Sequence, residues 1–423
     1  MRLSRLEIQN YKSLRDVVIE PGPLSVFVGA NATGKTNFTD AIDFLGDVYR
    51  LGLEDAVSRK GGYENICYRN TRRSKAGLRF RVVLQGHRDG LWIDRTGELS
   101  AGLHDVTLDH TFEFRTKSQG IEAPFAVSAE SISVSITADG KPGGALTIAN
   151  KNGRLDLKID HGFTPNSTPL ALLQADLNML ALEPENYSSE LILSVIKSRL
   201  SWFGDVAGGL SSAKVFQLSP QQCRESGVPI PNPHLDRFGD NLAGVIQYFK
   251  KQHNREYIRL LETMTNVMPS IEDIVIDFTH TKRLGLFIKE RGFSRPWAAD
   301  DVSDGTIQAI GLLAAIFDPR TDLAVVEEPE NSVHPWAIRH IVQAARTASL
   351  SKQIFFTTHS PVVIDQLKPE ELWVVQRPRA GTRIDPVLKL DPSLGESWVR
   401  GKFALSEYLD SGAVPEAVPA FHP

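Results

Sequence analysis

The run Gly29-Ala30-Asn31-Ala32-Thr33-Gly34-Lys35-Thr36 has the spacing G-x-x-x-x-G-K-[ST] of a phosphate-binding loop. The apolar stretch Leu24-Ser25-Val26-Phe27-Val28 before it reads as a buried strand, and Asn37 to Leu45 after it reads as a helix. In that setting the glycines let backbone N–H groups turn toward a phosphate, and the helix N-terminus adds partial positive charge. Lys35 is expected to reach the β- and γ-phosphates of ATP and the Thr36 hydroxyl to ligate Mg²⁺. Asn31, Gly34, Lys35, Thr36 and Asn37 are therefore the candidate nucleotide-binding residues. A mere Gly-rich turn is the alternative, and the flanking strand and helix argue against it.

Three later segments add chemistry to this loop. In Leu323-Ala324-Val325-Val326-Glu327-Glu328-Pro329-Glu330, four apolar residues make a buried strand with two carboxylates at its end. Glu327 is expected to hold Mg²⁺, directly or through water, and Glu328 to polarise the water that attacks the γ-phosphate. A solvent-exposed acidic strand end is the alternative. Asp300-Asp301-Val302-Ser303-Asp304-Gly305-Thr306-Ile307-Gln308 leads into a helix-like run, Ala309 to Phe317. Ser and Gly at such a helix start can present a hydroxyl and free N–H groups to an anion, although Ser-Asp-Gly turns are common. Ile354-Phe355-Phe356-Thr357-Thr358-His359-Ser360 is another buried strand, ending in a histidine.

In this order, the phosphate loop, V-S-D-G-T, V-V-E-E-P-E and T-T-H-S resemble the ABC-type ATPase heads of the RecF, SMC and OLD (overcoming lysogenization defect) group. Leu6 to Leu14 is similar to the first strand of those heads. Asn331 to Pro335 resembles the segment after the acidic strand in small RecF-like ATPases of prokaryotic genomes. The resemblance covers roughly residues 1–85 and 270–380. It implies that two heads sandwich ATP head-to-tail, with Ser303, Asp304 and Gly305 of one head acting in trans on the γ-phosphate held by the other. It also implies a γ-phosphate-sensing, catalytic role for His359 beside Glu328. The chain departs from the pattern in two ways. The first acid is Glu327 where Asp is usual, and the Q-loop has no clear counterpart, Gln85 and Gln119 being candidates by position alone.

The rest of the chain must position these residues. Its 423 residues are 41% hydrophobic and 23% charged, close to globular averages, and long enough for two or three domains. The net charge of -4 gives no bulk attraction to nucleic acid. Two cysteines, Cys67 and Cys223, make no disulfide framework, no apolar run approaches the ~20 residues of a membrane span, and no signal peptide is seen. These readings point to the cytoplasm and away from a membrane. From about Leu78 to Asp160 the sequence alternates with period two, as at Ile132, Val134 and Ile136 against Ser131, Ser133 and Ser135, and at Leu155, Leu157 and Ile159. From about Thr168 to Met268 the period becomes helical, with Leu191, Ile192, Val195, Ile196 and Leu200 on one face, then Leu242, Ile246 and Phe249, then Tyr257, Leu260 and Leu261. The expected fold class is α/β, a P-loop ATPase of ABC type split by two inserts. Its halves are residues 1–85 and 270–423, with an antiparallel β subdomain at 86–165 and a helical insertion at 166–269.

A basic cluster at Arg69, Arg72, Arg73, Lys75, Arg79 and Arg81 leaves nucleic acid open as a partner, although few aromatics interleave and a solvated hairpin explains it as well. His334 lies beside the acidic strand, a candidate for the dimer interface. The stretch after His359 is shorter than a usual domain of ~100–150 residues, and OLD nucleases append a Toprim domain there. The chain thus resembles an ATPase without its own effector. The resemblance suggests an ATP-hydrolysing, dimerising switch or sensor in prokaryotic anti-phage defence, with a separately encoded nuclease or toxin as partner and PARIS, Septu and abortive-infection ATPases as the comparison. A RecF-like, ATP-gated DNA-repair protein is the alternative. An ABC transporter subunit is disfavoured by V-S-D-G-T and by the large insertion.

Overall fold

The computed structural model describes residues 1–68, 77–93, 99–116, 124–138, 141–151, 154–159, 189–199, 201–378, 380–401 and 403–411. Arg69, Arg72, Arg73, Lys75, Gln119, Leu200 and most of the segment expected to begin the helical insertion lie outside these. The chain divides into two compact units. One comprises Met1–Pro21, Asp40–Ala213 and Arg377–Ile384, and the other Gly22–Thr39, Lys214–Gln376 and Asp385–Pro423.

The second unit is built on parallel strands in the order Lys214–Phe216, Leu323–Glu327, Gln353–Thr358, Leu24–Val28 and Leu372–Gln376. Leu24–Val28, Leu323–Glu327 and Gln353–Thr358 are buried at every position. Such continuous burial is what a parallel sheet covered on both faces demands, and it explains why these segments are unbroken apolar runs rather than alternating ones. The strands are in step: Glu327 pairs with Thr357, Val28 with Thr358, and Val28 with Val374. Their carboxyl ends therefore coincide, and the loops leaving them share one rim. The helices Asp304–Phe317 and Pro335–Ala348 belong to the same core. Ile310, Leu313 and Ile341 pack into one cluster with Val26, Val326 and Phe356.

The other unit carries a seven-stranded antiparallel sheet in the order Leu14–Ile19, Arg2–Tyr11, Leu78–Ile93, Leu99–Thr116, Phe125–Ala138, Lys141–Lys151, Arg154–Ile159. The alternation read at Ile132, Val134 and Ile136 is present, with those three buried and Ser131, Ser133 and Ser135 only partly so. Division of the chain differs from the expected boundaries. Leu78–Ile93 runs without a break across 85 and 86, and Arg2–Tyr11 pairs with it, Ile8 opposite Phe80 and Leu3 opposite Leu84. Residues 1–21 thus group with the β subdomain. The expected helical insertion is also divided. Ile192–Arg199 and Ser201–Ser211 lie in the first unit, whereas Lys214–Phe216, Leu242–Gln252 and Asn254–Val267 lie in the second. Leu242, Ile246, Phe249, Tyr257 and Leu260 bury their stripes in the core of the second unit. Both divisions are made by long-range strand pairing and core packing, which leave no local mark at the boundary. No helix among the described residues is long and apolar enough to cross a membrane, and both cysteines are buried and outside any disulfide.

Candidate functional site

The phosphate loop leaves the strand Leu24–Val28 at the centre of the rim. Gly34 takes a φ of 112°, and Ala32 one of 63°. Gly29 is required for a different reason. A Cβ built there would stand 2.2 Å from the carbonyl oxygen of Val375 on the neighbouring strand. Lys35 begins the helix Lys35–Leu51, and its Nζ donates to the carbonyls of Gly29 at 2.6 Å and Ala30 at 3.1 Å. Its side chain is buried, and desolvation holds its pKa below the ordinary lysine value, while the charges of Glu328 and Glu330 pull it back up. Thr36 and Asn31 are exposed, and Asn37 is half-buried. The loop suits a phosphate-bearing ligand: a desolvated ammonium rests on backbone oxygens of the loop, and the missing side chain at Gly29 lets that loop lie against Val375.

Two strands away the acids stand at the end of Leu323–Glu327. The Glu327 carboxylate is buried, and its Oε1 accepts from the Thr39 hydroxyl at 2.6 Å and from Arg237 Nη2 at 3.2 Å. Glu328 adopts a φ of 47°, and its backbone N–H still donates to Thr357 O at 2.8 Å. Its Oε2 accepts from Asn331 Nδ2 at 2.9 Å, and its Oε1 lies 3.6 Å from His359 Nδ1. His359 is half exposed, and its Nδ1 is also 3.8 Å from Glu330 Oε1. Glu330 is fixed in turn, accepting from the Thr358 hydroxyl at 2.6 Å and from the His359 backbone at 3.3 Å. Its Oε2 is buried with no hydrogen-bond partner among the described residues. Glu328 and His359, which the sequence placed on separate strands, face each other across adjacent strand ends.

The V-S-D-G-T segment forms a helix start in the same unit. Ser303 is the N-cap of Asp304–Phe317: its Oγ accepts from Thr306 N and lies 2.8 Å from Thr306 Oγ1. This is the usual way such a hydroxyl satisfies a first-turn N–H. A Cβ on Gly305 would come within 2.9 Å of the carbonyl of Ser332, so the helix start packs on the segment that follows the acids. Ser303 and Asp304 are exposed. Arg224 braces the loop before them, donating to Ala299 O and Val302 O and pairing with Asp304 at 2.7 Å.

A family model described as "AAA domain, putative AbiEii toxin, Type IV TA system" matches residues 24–365. The chain belongs to this AAA family. It is 31% identical over 99 residues to the DNA replication and repair protein RecF of Lactobacillus acidophilus, and 46% identical over 48 residues to an OLD nuclease of Thermus scotoductus. These stretches cover 22% and 11% of the chain, but only 26% and 9% of those relatives' lengths. An SMC head bound to the C-terminal winged-helix domain of ScpA aligns over 91% of this chain and 98% of its own, at 12% identity and a TM-score of 0.49. The SMC head domain of Thermotoga maritima aligns over 91% and 99%, at 14% identity and a TM-score of 0.43. By family and by the order of its motifs, the chain is an ABC-type ATPase head of the RecF, SMC and OLD kind.

Against this AAA framework, the structure adds residues that the sequence did not single out. Thr39 lies one helical turn beyond Thr36, a position a capping or metal motif does not mark. Arg237 follows the Pro-rich run Pro229 to Pro233 and has no motif of its own. Arg224 and Glu330 are likewise defined only by what they touch. His334 has a local duty: its Nδ1 accepts from Trp336 N at 3.2 Å and caps Pro335–Ala348. Gln85 is exposed on an antiparallel strand, opposite Arg2 and Thr107.

Proposed function

We propose that this chain binds ATP with Mg²⁺, hydrolyses it as a head-to-tail dimer, and so switches a separately encoded nuclease or toxin in cytoplasmic anti-phage defence. One observation carries the catalytic part: Lys35, Glu327, Glu328 and His359 issue from the same rim of three adjacent parallel strands. Ligands of open α/β sheets bind at such rims. Lys35 leaves the Gly29 and Ala30 carbonyls for the β- and γ-phosphates. Thr36, exposed at the helix start, and Glu327, aimed by Thr39, would hold Mg²⁺, which neutralises charge on those phosphates when bound. The Thr39 hydroxyl holds the carboxylate of this longer acid in place. Glu328 orients the attacking water and takes its proton, steadied by Asn331. His359, which faces Glu328, would donate to a γ-phosphate oxygen. Ser303, Asp304 and Gly305 complete the partner head's site.

The family's description as a toxin of a toxin–antitoxin system supports the defence context. The match to RecF supports the second reading, an ATP-gated DNA-repair protein. Arg81 speaks less for DNA than its sequence suggests, because Asp109 and Glu7 hold its guanidinium at 2.7 and 3.1 Å. The deciding experiment pairs two variants. Lys35→Ala should lose ATP binding, since the ammonium and its phosphate contacts go together. Glu328→Gln should bind ATP, stall, and persist as a dimer in light scattering with ATP and Mg²⁺. Wild-type turnover by either variant refutes the catalytic assignment. Hydrolysis strongly stimulated by DNA would move the conclusion to the second reading.

A further inference from the structure

The buried acid of the site already carries a cation. Arg237 Nη2 lies 3.2 Å from Glu327 Oε1, and the Thr39 hydroxyl meets the same oxygen at 2.6 Å. Arg237 is placed there by its backbone. Gln217 N donates to Arg237 O at 2.8 Å and Ser219 N to Phe238 O at 3.2 Å, which lays residues 237 and 238 along the chain leaving Lys214–Phe216. That strand is the immediate neighbour of Leu323–Glu327, with Phe216 opposite Val326. The arginine thus reaches one strand over, as the fourth strand's contribution to the rim.

We propose that Arg237 is a positioning residue that occupies the cation place beside Glu327 in the nucleotide-free chain, and that metal and nucleotide enter only as its guanidinium withdraws. This rests on the reading of Glu327 as the acid that holds Mg²⁺. A buried carboxylate without a counter-charge is strongly unfavourable, so the site needs a cation before the metal arrives. A guanidinium and a divalent metal on the same carboxylate repel each other, so the two states exclude one another. The burial of the partners says which one moves. The Glu327 side chain is 7% exposed and the Arg237 side chain 30%, so the arginine has solvent to swing into and the glutamate does not. Thr39, a neutral donor, can keep the carboxylate aimed after the arginine leaves.

The test uses the full chain and a fluorescent, non-hydrolysable ATP analogue at fixed concentration, titrated with Mg²⁺. Arg237→Gln removes the competing charge, so the Mg²⁺ midpoint of binding should fall at least about tenfold, the worth of one charge-assisted hydrogen bond. Arg237→Lys keeps a cation with a looser, non-forked grip and should shift the midpoint the same way by less. Melting of the nucleotide-free Arg237→Gln variant should drop, and Mg²⁺ with the analogue should raise it by more than in wild type. A midpoint unchanged or raised in either folded variant overturns the proposal; should Arg237→Gln not fold, Arg237→Lys decides. Glu327→Gln separates the two layers. If it abolishes the Mg²⁺ response while Arg237→Gln leaves the midpoint in place, only the role of Arg237 falls. If Glu327→Gln also leaves the midpoint in place, the metal assignment of Glu327 falls and takes this proposal with it.

Discussion

Gly29→Ala is the substitution whose effect can be worked most directly from distances. The added methyl would sit 2.2 Å from Val375 O, 3.1 Å from Thr33 Oγ1 and 3.2 Å from Val375 C, where ordinary contact begins near 3.4 Å. Thr33 can turn its hydroxyl away. Val375 cannot yield, because its strand is paired with Leu24–Val28 through Trp373 opposite Phe27 and Val374 opposite Val28. The loop itself must therefore lift by about 1 Å from the sheet. Overpacking of this kind costs about 1–3 kcal/mol, which should show as a fall of several degrees in melting temperature. A phosphate cradle displaced by about 1 Å should bind ATP more weakly and, by misplacing the reacting phosphate, lose on the order of 10²-fold in turnover. Thermal denaturation, titration with a fluorescent ATP analogue and a hydrolysis assay read these effects. Gly22→Ala is the control, since its nearest heavy atom would be Leu24 O at 3.7 Å. If Gly29→Ala melted and bound ATP as the control does, the loop would not be held against Val375 as described.

The trans arrangement can be tested by mixing Lys35→Ala with Ser303→Arg chains, each inactive alone. Equal amounts pair at random into about half mixed dimers with one intact composite site each, so about a quarter of wild-type sites should return; verified mixed dimers without ATP binding or turnover would exclude shared sites. Arg224→Ala frees the loop before Ser303 from the Ala299 and Val302 carbonyls. It should leave ATP binding by the single chain intact while weakening ATP-dependent dimerisation in analytical ultracentrifugation; loss of ATP binding itself would count against that division of labour. Lys352 caps the far end of the helix Asp304–Phe317, donating to Asp318 O at 2.9 Å, and its burial pushes its pKa down to about 8. Between that value and the ordinary lysine value the unfolded chain binds more protons, so stability should rise with pH there. Relative to Lys352→Met, wild type should gain up to ~1.4 kcal/mol per pH unit in denaturant titrations above pH 8. A flat difference would show that the ammonium is not desolvated.

The parts of the site legible in the sequence are those whose chemistry is local. The phosphate loop announces itself because strand, glycines, lysine and helix are contiguous. The acids and His359 are legible because each ends an apolar run long enough to be a buried strand, and Ser303 because a hydroxyl before a helical run is a cap signal. Arg237 was not legible: ninety residues separate it from Glu327, and it sits in irregular chain whose course is set by two backbone hydrogen bonds to the end of a three-residue strand. Grouping of Arg2–Tyr11 with the antiparallel sheet was hidden for the same reason. Its incomplete, alternating burial argues against the fully buried parallel sheet but names no partner strand, and its pairing with Leu78–Ile93 decides. For His334 the structure adds a duty that the sequence reading did not name: its Nδ1 caps the next helix.

The left-handed backbone of Glu328 has a consequence for how this protein changes over generations. A side chain with a Cβ held at a φ of 47° costs about 1–2 kcal/mol relative to glycine, and asparagine or aspartate tolerate the conformation better than glutamate. Folding alone would therefore favour Gly, Asn or Asp over glutamate at this position, so on the proposed function the glutamate persists there only while turnover is under selection. A lineage that kept the ATP-bound assembly but no longer needed to reset it would drift toward Gly or Asn at residue 328 and become more stable as it lost hydrolysis. Among descendants of this chain, the identity of that one residue would tell clocks that run from latches that close once.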